Sequence, residues 1–209
     1  MPSMEVAEQL SEPGRGRGRR PAASREHVLA AAVYRYLRGR RVDVQAIAAE
    51  LGLGRSTIYR WFGSRDGLIG EAIVAATEPV FEEVCASAHG TGAAVLLDIF
   101  DRFNRRLADA PALRQFLDQE RDAALRIITS SGGNVQPKMV EMICRVIEEE
   151  IAAGHYDAPV EPADLAYAIV RLAEAYLFND AIAGMRGDVD RLRNVEAALL
   201  GIPRRRASS

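Results

Sequence analysis

From Ser24 onward, apolar residues recur at intervals of three and four, and no segment sustains an apolar–polar alternation. That period builds helices and disfavours a sheet, so the expected fold class is all-α. Val28, Leu29, Ala32, Val33, Tyr36 and Leu37 form the first stripe, with Ser24 as its N-cap and its end near Gly39. Asp43 is placed to cap a short second helix, Val44–Leu51, and Gly52 to end it in a left-handed conformation. A third short helix is expected over Arg55–Phe62. A long fourth begins at Arg65, capped by Ser64, with Pro79 bending its later half. Further helices are expected at about 93–109, 112–117, 118–131, 136–153, 162–184 and 188–200, separated by proline- and glycine-bearing breaks.

With 209 residues, 48% of them hydrophobic, the chain can bury a sizeable core. Cys85 and Cys144 make neither a disulfide framework nor a ligand spacing. No apolar run approaches the roughly 20 residues that span a bilayer, and Met1 to Leu10 has no signal-peptide pattern, so a cytoplasmic protein without membrane contact is expected. The net charge of −2 conceals an asymmetry: residues 1–65 carry +6 and the remainder −8. Such a split suggests that one end meets a polyanion. The organisation expected is a disordered basic arm over 1–23, a first helical domain over 24–66, a larger helical domain over 67–203 and a tail over 204–209.

The stretch 44–62 has the arithmetic of a helix-turn-helix. A short helix carries Ile47, Ala48 and Leu51, Gly52 permits a sharp reversal, Leu53 is apolar, and the next helix begins within three residues. Ala48 suits the point of closest helix approach. In this geometry the second helix points its N-terminal residues into a major groove of double-stranded DNA. Arg55, Ser56, Thr57, Tyr59 and Arg60 would face outward, and Ile58 and Phe62 inward. An arginine can bond both acceptors of a guanine edge, and Ser or Thr can reach phosphate or base. On spacing alone, a helical hairpin with a solvated polar face is the competing reading.

The run Gly52-Leu53-Gly54-Arg55-Ser56-Thr57-Ile58-Tyr59-Arg60-Trp61-Phe62, followed by Gly63-Ser64-Arg65-Asp66-Gly67-Leu68, resembles the signature of TetR-type (tetracycline-repressor-like) regulators. Val44-Gln45-Ala46-Ile47-Ala48 is similar to their second helix, and the likeness covers about residues 25–72. Two departures stand out: Gly54 replaces the usual capping Ser or Thr, and Arg38-Gly39-Arg40-Arg41 replaces a glycine-aromatic turn. The resemblance implies that Arg55 and Gln45 read bases, and that Thr57, Tyr59 and Trp61 contact the DNA backbone, with Trp61 equally suited to the core. It further implies that Arg65 meets a phosphate at the positive end of its helix. The arm residues Arg15, Arg17, Arg19 and Arg20 fit minor-groove or phosphate contact, against a purely solubilising role.

For the larger domain the resemblance implies a homodimer and a small-molecule effector. Residues 135–151 carry Met139, Met142, Ile143, Val146, Ile147 and Ile151 on one side. Residues 165–182 are apolar almost all round, which suits either an intermolecular four-helix bundle or the subunit core. Candidate pocket residues are Phe100, Phe103, Phe116, Tyr167, Arg171, Glu174 and Phe178; Arg171 and Glu174, three apart, either pair with each other or anchor a polar ligand group. Pro162-Ala163-Asp164-Leu165 and Tyr176-Leu177-Phe178-Asn179-Asp180 resemble regulators of the quorum-sensing-degradation type, which implies a lactone-like effector.

The function expected is therefore a ligand-responsive repressor that binds a palindromic operator as a dimer and leaves it when an effector binds. The alternatives are a nonspecific architectural DNA binder and, less favoured, an all-α enzyme. His27, His89 and His155 are scattered and no nucleophile elbow, His-Glu-x-x-His or Cys-x-x-Cys motif is present, so no catalytic residue, metal or cofactor is expected.

Overall fold

The computed structural model describes residues 23–178 and 188–203, which form ten helices and no strands. These are α1 (Arg25–Leu37), α2 (Val44–Leu51), α3 (Arg55–Phe62), α4 (Arg65–Ala86), α5 (Gly92–Asp109), α6 (Pro111–Gln119), α7 (Arg121–Thr129), α8 (Val135–Ala152), α9 (Pro162–Phe178) and α10 (Val189–Leu199). The continuation expected for residues 179–184, with Ile182, lies outside the described residues, as do the arm and the tail beyond Pro203.

Capping chemistry sets the starts of the first helices. Ser24 accepts from the His27 amide, Asp43 from the amides of Gln45 and Ala46, and Ser64 from that of Gly67. Gly52 closes α2 at φ +66°. That left-handed turn brings the Leu53 N–H to the Ala48 carbonyl at 2.8 Å, completing the reversal. The α6–α7 break falls at Glu120 rather than at the expected boundary between 117 and 118. Glu120 leaves helical geometry (φ −137°, ψ 50°), and its carboxylate is held elsewhere by Arg65.

Helices α1 to α3 and the start of α4 bury one apolar cluster around Val28, Ala32, Ile47, Ile58, Phe62 and Leu68. Arg25 lies over the Phe62 ring at 4.5 Å and pairs with Glu71, fastening α1 to α4. A Cβ on Gly67 would stand 2.1 Å from the Phe62 carbonyl oxygen, so only glycine lets α4 start this close behind α3. Helix α4 then runs unbroken through Pro79 into the larger bundle, where Phe81 packs edge-on against Phe103 of α5 at 5.0 Å. Helices α8 and α9 lie against each other and α10 packs against α5.

Ala48 of α2 is buried in the core that α2 and α3 share. Ala48→Leu is expected to destabilise the protein by about 1–3 kcal/mol, read from chemical denaturation, because the added carbons must part the two helices.

Candidate DNA interface and cavity

Helix α3 is amphipathic in the sense the interface requires. Ile58 and Phe62 are buried, whereas Arg55, Ser56, Tyr59 and Arg60 are exposed and Thr57 is half-buried. Arg55 and Arg60 form no ion pair among the described residues, so both cations are free to meet an anion. Gly54 caps α3 without a side-chain hydrogen bond, leaving the amides of Arg55 and Ser56 at the helix start open. Gln45 is exposed in the first turn of α2, and Trp61 is half-buried against the head core.

Arg65, expected at a DNA phosphate, also makes contacts within the protein. Its two terminal nitrogens donate to both Glu120 oxygens at 2.7 Å, and its Nε donates to the Val42 carbonyl at 2.8 Å. Three of the five guanidinium N–H donors are thereby engaged within the protein. The Arg65 pairing holds the Glu120 carboxyl below the usual carboxylate range. Arg126 adds a second tie, to Asp66 at 2.8 Å. The first turn of α4 is thus strapped to the α6–α7 junction.

Between the head and the larger bundle lies a cavity of about 260 Å³ with walls that are mostly apolar. Tyr36 and Leu37 of α1 reach it, as do Ile73, Ala76, Thr77 and Val80 of α4. The remaining wall includes Phe100, Phe103 and Asn104 of α5, Met139 and Ile143 of α8, Glu174, Leu177 and Phe178 of α9, and Glu196 of α10. Of the residues expected at a pocket, Phe100, Phe103, Glu174 and Phe178 are brought together here and three are not. Phe116 packs edge-on against Tyr36, with ring centroids 6.2 Å apart. Tyr167 lies on the outer side of α9 and is 49% exposed, since the inner side is taken by Leu165, Ala166, Ile169 and Val170. Arg171 also points outward, yet it reaches Glu174 at 2.7 Å. The two residues therefore pair, and only the carboxylate faces the cavity. Burial raises the Glu174 carboxyl, partly offset by Arg171 and by Gln136.

Sequence reasoning missed Asn104 and Glu196. On α10 the inward positions run Val189, Leu192, Glu196, Leu200, so a glutamate occupies a place where an aliphatic residue would continue the stripe. The Asn104 amide donates to its Oε1 at 2.9 Å, while its Oε2 has no hydrogen-bond partner among the described residues. Burial pushes this carboxyl up to about 7; nearby Asp101 raises it further and Asn104 and Arg193 oppose the shift. The folded protein keeps this proton after the unfolded chain has released it, so the group works against folding as pH rises from about 5 to 7 and fully above that. Accordingly, the stability of Glu196→Gln relative to wild type should shift in the variant's favour by about 2–3 kcal/mol between pH 5 and pH 8, measured by denaturant titration.

A helix-turn-helix head with free cations, joined through one shared helix to a helical body with an apolar cavity, defines a DNA-binding regulator. Residues 91–201, more than half of the chain, match the family model of the tetracyclin repressor-like C-terminal domain, and residues 38–72 match that of bacterial regulatory proteins, tetR family. The chain belongs to the TetR family of transcriptional regulators. It is similar to the R. erythropolis transcriptional repressor QsdR, at 26% identity and a TM-score of 0.81, covering 88% of this chain and 97% of that one. A candidate transcriptional regulator from Pseudomonas aeruginosa PAO1 matches at 19% identity and a TM-score of 0.41, over 85% of this chain and 88% of that one, too distant to argue from. No curated protein matches the chain. Among the described residues no helix is long and apolar enough to cross a membrane, and no cluster of His, Cys, Asp or Glu is suited to a metal.

Proposed function

We propose that this protein is a dimeric repressor, and not an enzyme, that binds a palindromic operator in the cytoplasm and is released by a small amphipathic effector. The observation that carries this reading is the course of α4, which starts two residues after the recognition helix and forms part of the cavity wall farther along. At about 1.5 Å per residue, Ile73 lies roughly 12 Å along the helix from Arg65. A ligand that fills the cavity bears on Ile73, Ala76, Thr77 and Val80, and through them on the angle at which α3 is presented. A hundredfold loss of operator affinity needs only about 2.7 kcal/mol of preference for the altered state. Repression is carried over from QsdR.

In this reading residues 24–66 are the DNA-binding head and 67–203 the effector and dimerisation domain. Arg55 and Gln45 read bases, Ser56, Thr57, Tyr59 and Arg60 contact base or backbone, and Trp61 supports the backbone contact from its half-buried position. Arg15, Arg17, Arg19 and Arg20, outside the described residues, add sequence-independent contacts. The cavity suits a molecule with an apolar body and one compact polar end, an outline that a lactone-like compound with an alkyl or acyl chain fulfils.

Selection of bound duplexes from a random pool tests the operator reading. It should return an inverted repeat whose half-sites lie about 34 Å apart, and Arg55→Ala should cost about 1–3 kcal/mol and relax the preference at one position per half-site. Equal weakening on every sequence would contradict base readout by Arg55. For the dimer, the outer side of α9 supports an interface: Tyr167 is exposed and Ala168, Leu172, Ala175 and Tyr176 are half-buried. Tyr167→Arg should raise the dimer dissociation constant about thirtyfold or more in sedimentation equilibrium.

A further inference from the structure

Glu196 is the feature of the cavity that packing does not explain. The carboxylate is fully buried, at 0% exposure, in a register that a leucine would satisfy. The other charges on the cavity wall have counter-ions: Arg106 pairs with Glu83 at 3.2 Å, and Glu174 with Arg171. Glu196 has only the neutral Asn104 amide on one oxygen, and the other oxygen is unpartnered among the described residues. A buried polar atom left without a partner is costly, and proteins keep such atoms chiefly where something else supplies the partner. Glu196 lines the cavity, so a ligand seated there lies against this side chain.

Building on the effector reading above, we propose that the effector's polar end carries an N–H or O–H donor and that the Glu196 Oε2 receives it, making Glu196 the specificity-determining residue of the cavity. An ionised carboxylate only accepts hydrogen bonds, so a ligand end bearing acceptors alone leaves the oxygen as it was. A donor satisfies the oxygen, and an ammonium donor also balances its charge. An acyl amide or a lipophilic amine meets this condition. A simple ester or an unsubstituted lactone ring does not, unless Glu196 holds a proton. Within the lactone-like class, the condition selects molecules that also bear an amide or hydroxyl group.

The test is calorimetric titration of the full-length protein at pH 8 with three probes of one chain length: decanamide, decylamine and methyl decanoate. Decanamide and decylamine should bind wild type about tenfold to a hundredfold more tightly than methyl decanoate, the margin of a hydrogen bond to a charged group. Glu196→Leu, which completes the apolar stripe, should erase that margin. The isosteric Glu196→Gln should remove the advantage of decylamine over decanamide. The proposal is overturned if the donor probes do not bind, if methyl decanoate binds as tightly as they do, or if the margin persists in Glu196→Leu. Ala173→Phe, which fills the cavity from α9, separates this failure from that of the effector reading. If all three probes bind wild type alike and Ala173→Phe abolishes them, the cavity stands and only the donor requirement falls. If probe binding survives Ala173→Phe, the cavity is not where they bind.

Discussion

The apolar side of α4 is buried at both ends by different partners, and the rest of the structure depends on that double engagement. Near its start, Leu68, Ile69 and Ala72 complete the core of the DNA-binding head; toward its end, Phe81 and Val84 belong to the core of the larger bundle. Neither core closes without this helix. The strap of Arg65 on Glu120 and of Arg126 on Asp66 holds the same segment from the other side. A bidentate, partly sheltered pair thus holds one end of α4 and close packing the other.

The same helix forms part of the cavity wall. Tyr36 and Leu37, from the end of α1, share the wall with residues of α4, so the cavity touches the head at two helices. In the proposed function, an occupant would touch head and body together. The charged groups on this wall, Arg106, Glu174 and Glu196, come from α5, α9 and α10, while α1 and α4 contribute only the hydroxyl-bearing Tyr36 and Thr77 as polar residues.

Much of this was legible in the sequence, and the exceptions have a common cause. Ser24, Asp43, Gly52 and Ser64 announce helix ends by local chemistry, so the head could be read nearly residue by residue. The inward turn of Ile58 and Phe62 follows from period alone. The pairing of Arg65 was not legible because its partner, Glu120, lies 55 positions away, and no local rule brings such residues together. The cavity was only half legible: aromatic residues in plausible segments suggested it, but Phe116 and Tyr167 face other neighbours. A sharper signal was present in the stripes themselves. Asn104 and Glu196 interrupt apolar registers on two amphipathic helices, and a polar residue at such a position needs a partner from another element.

Gly67 has a consequence that reaches the operator. Because the Phe62 carbonyl occupies the space a methyl group would need, the elbow between recognition helix and connecting rod is set by the absence of a single carbon. A side chain there would have to pry the elbow wider, swinging the tip of the reading element through an arc before any ligand arrives. In a twofold assembly both tips would swing in mirrored fashion, so the change in separation would be doubled. In the proposed dimer this position would set the span between the two reading elements, and a change here would retune half-site spacing without altering one contact to a base.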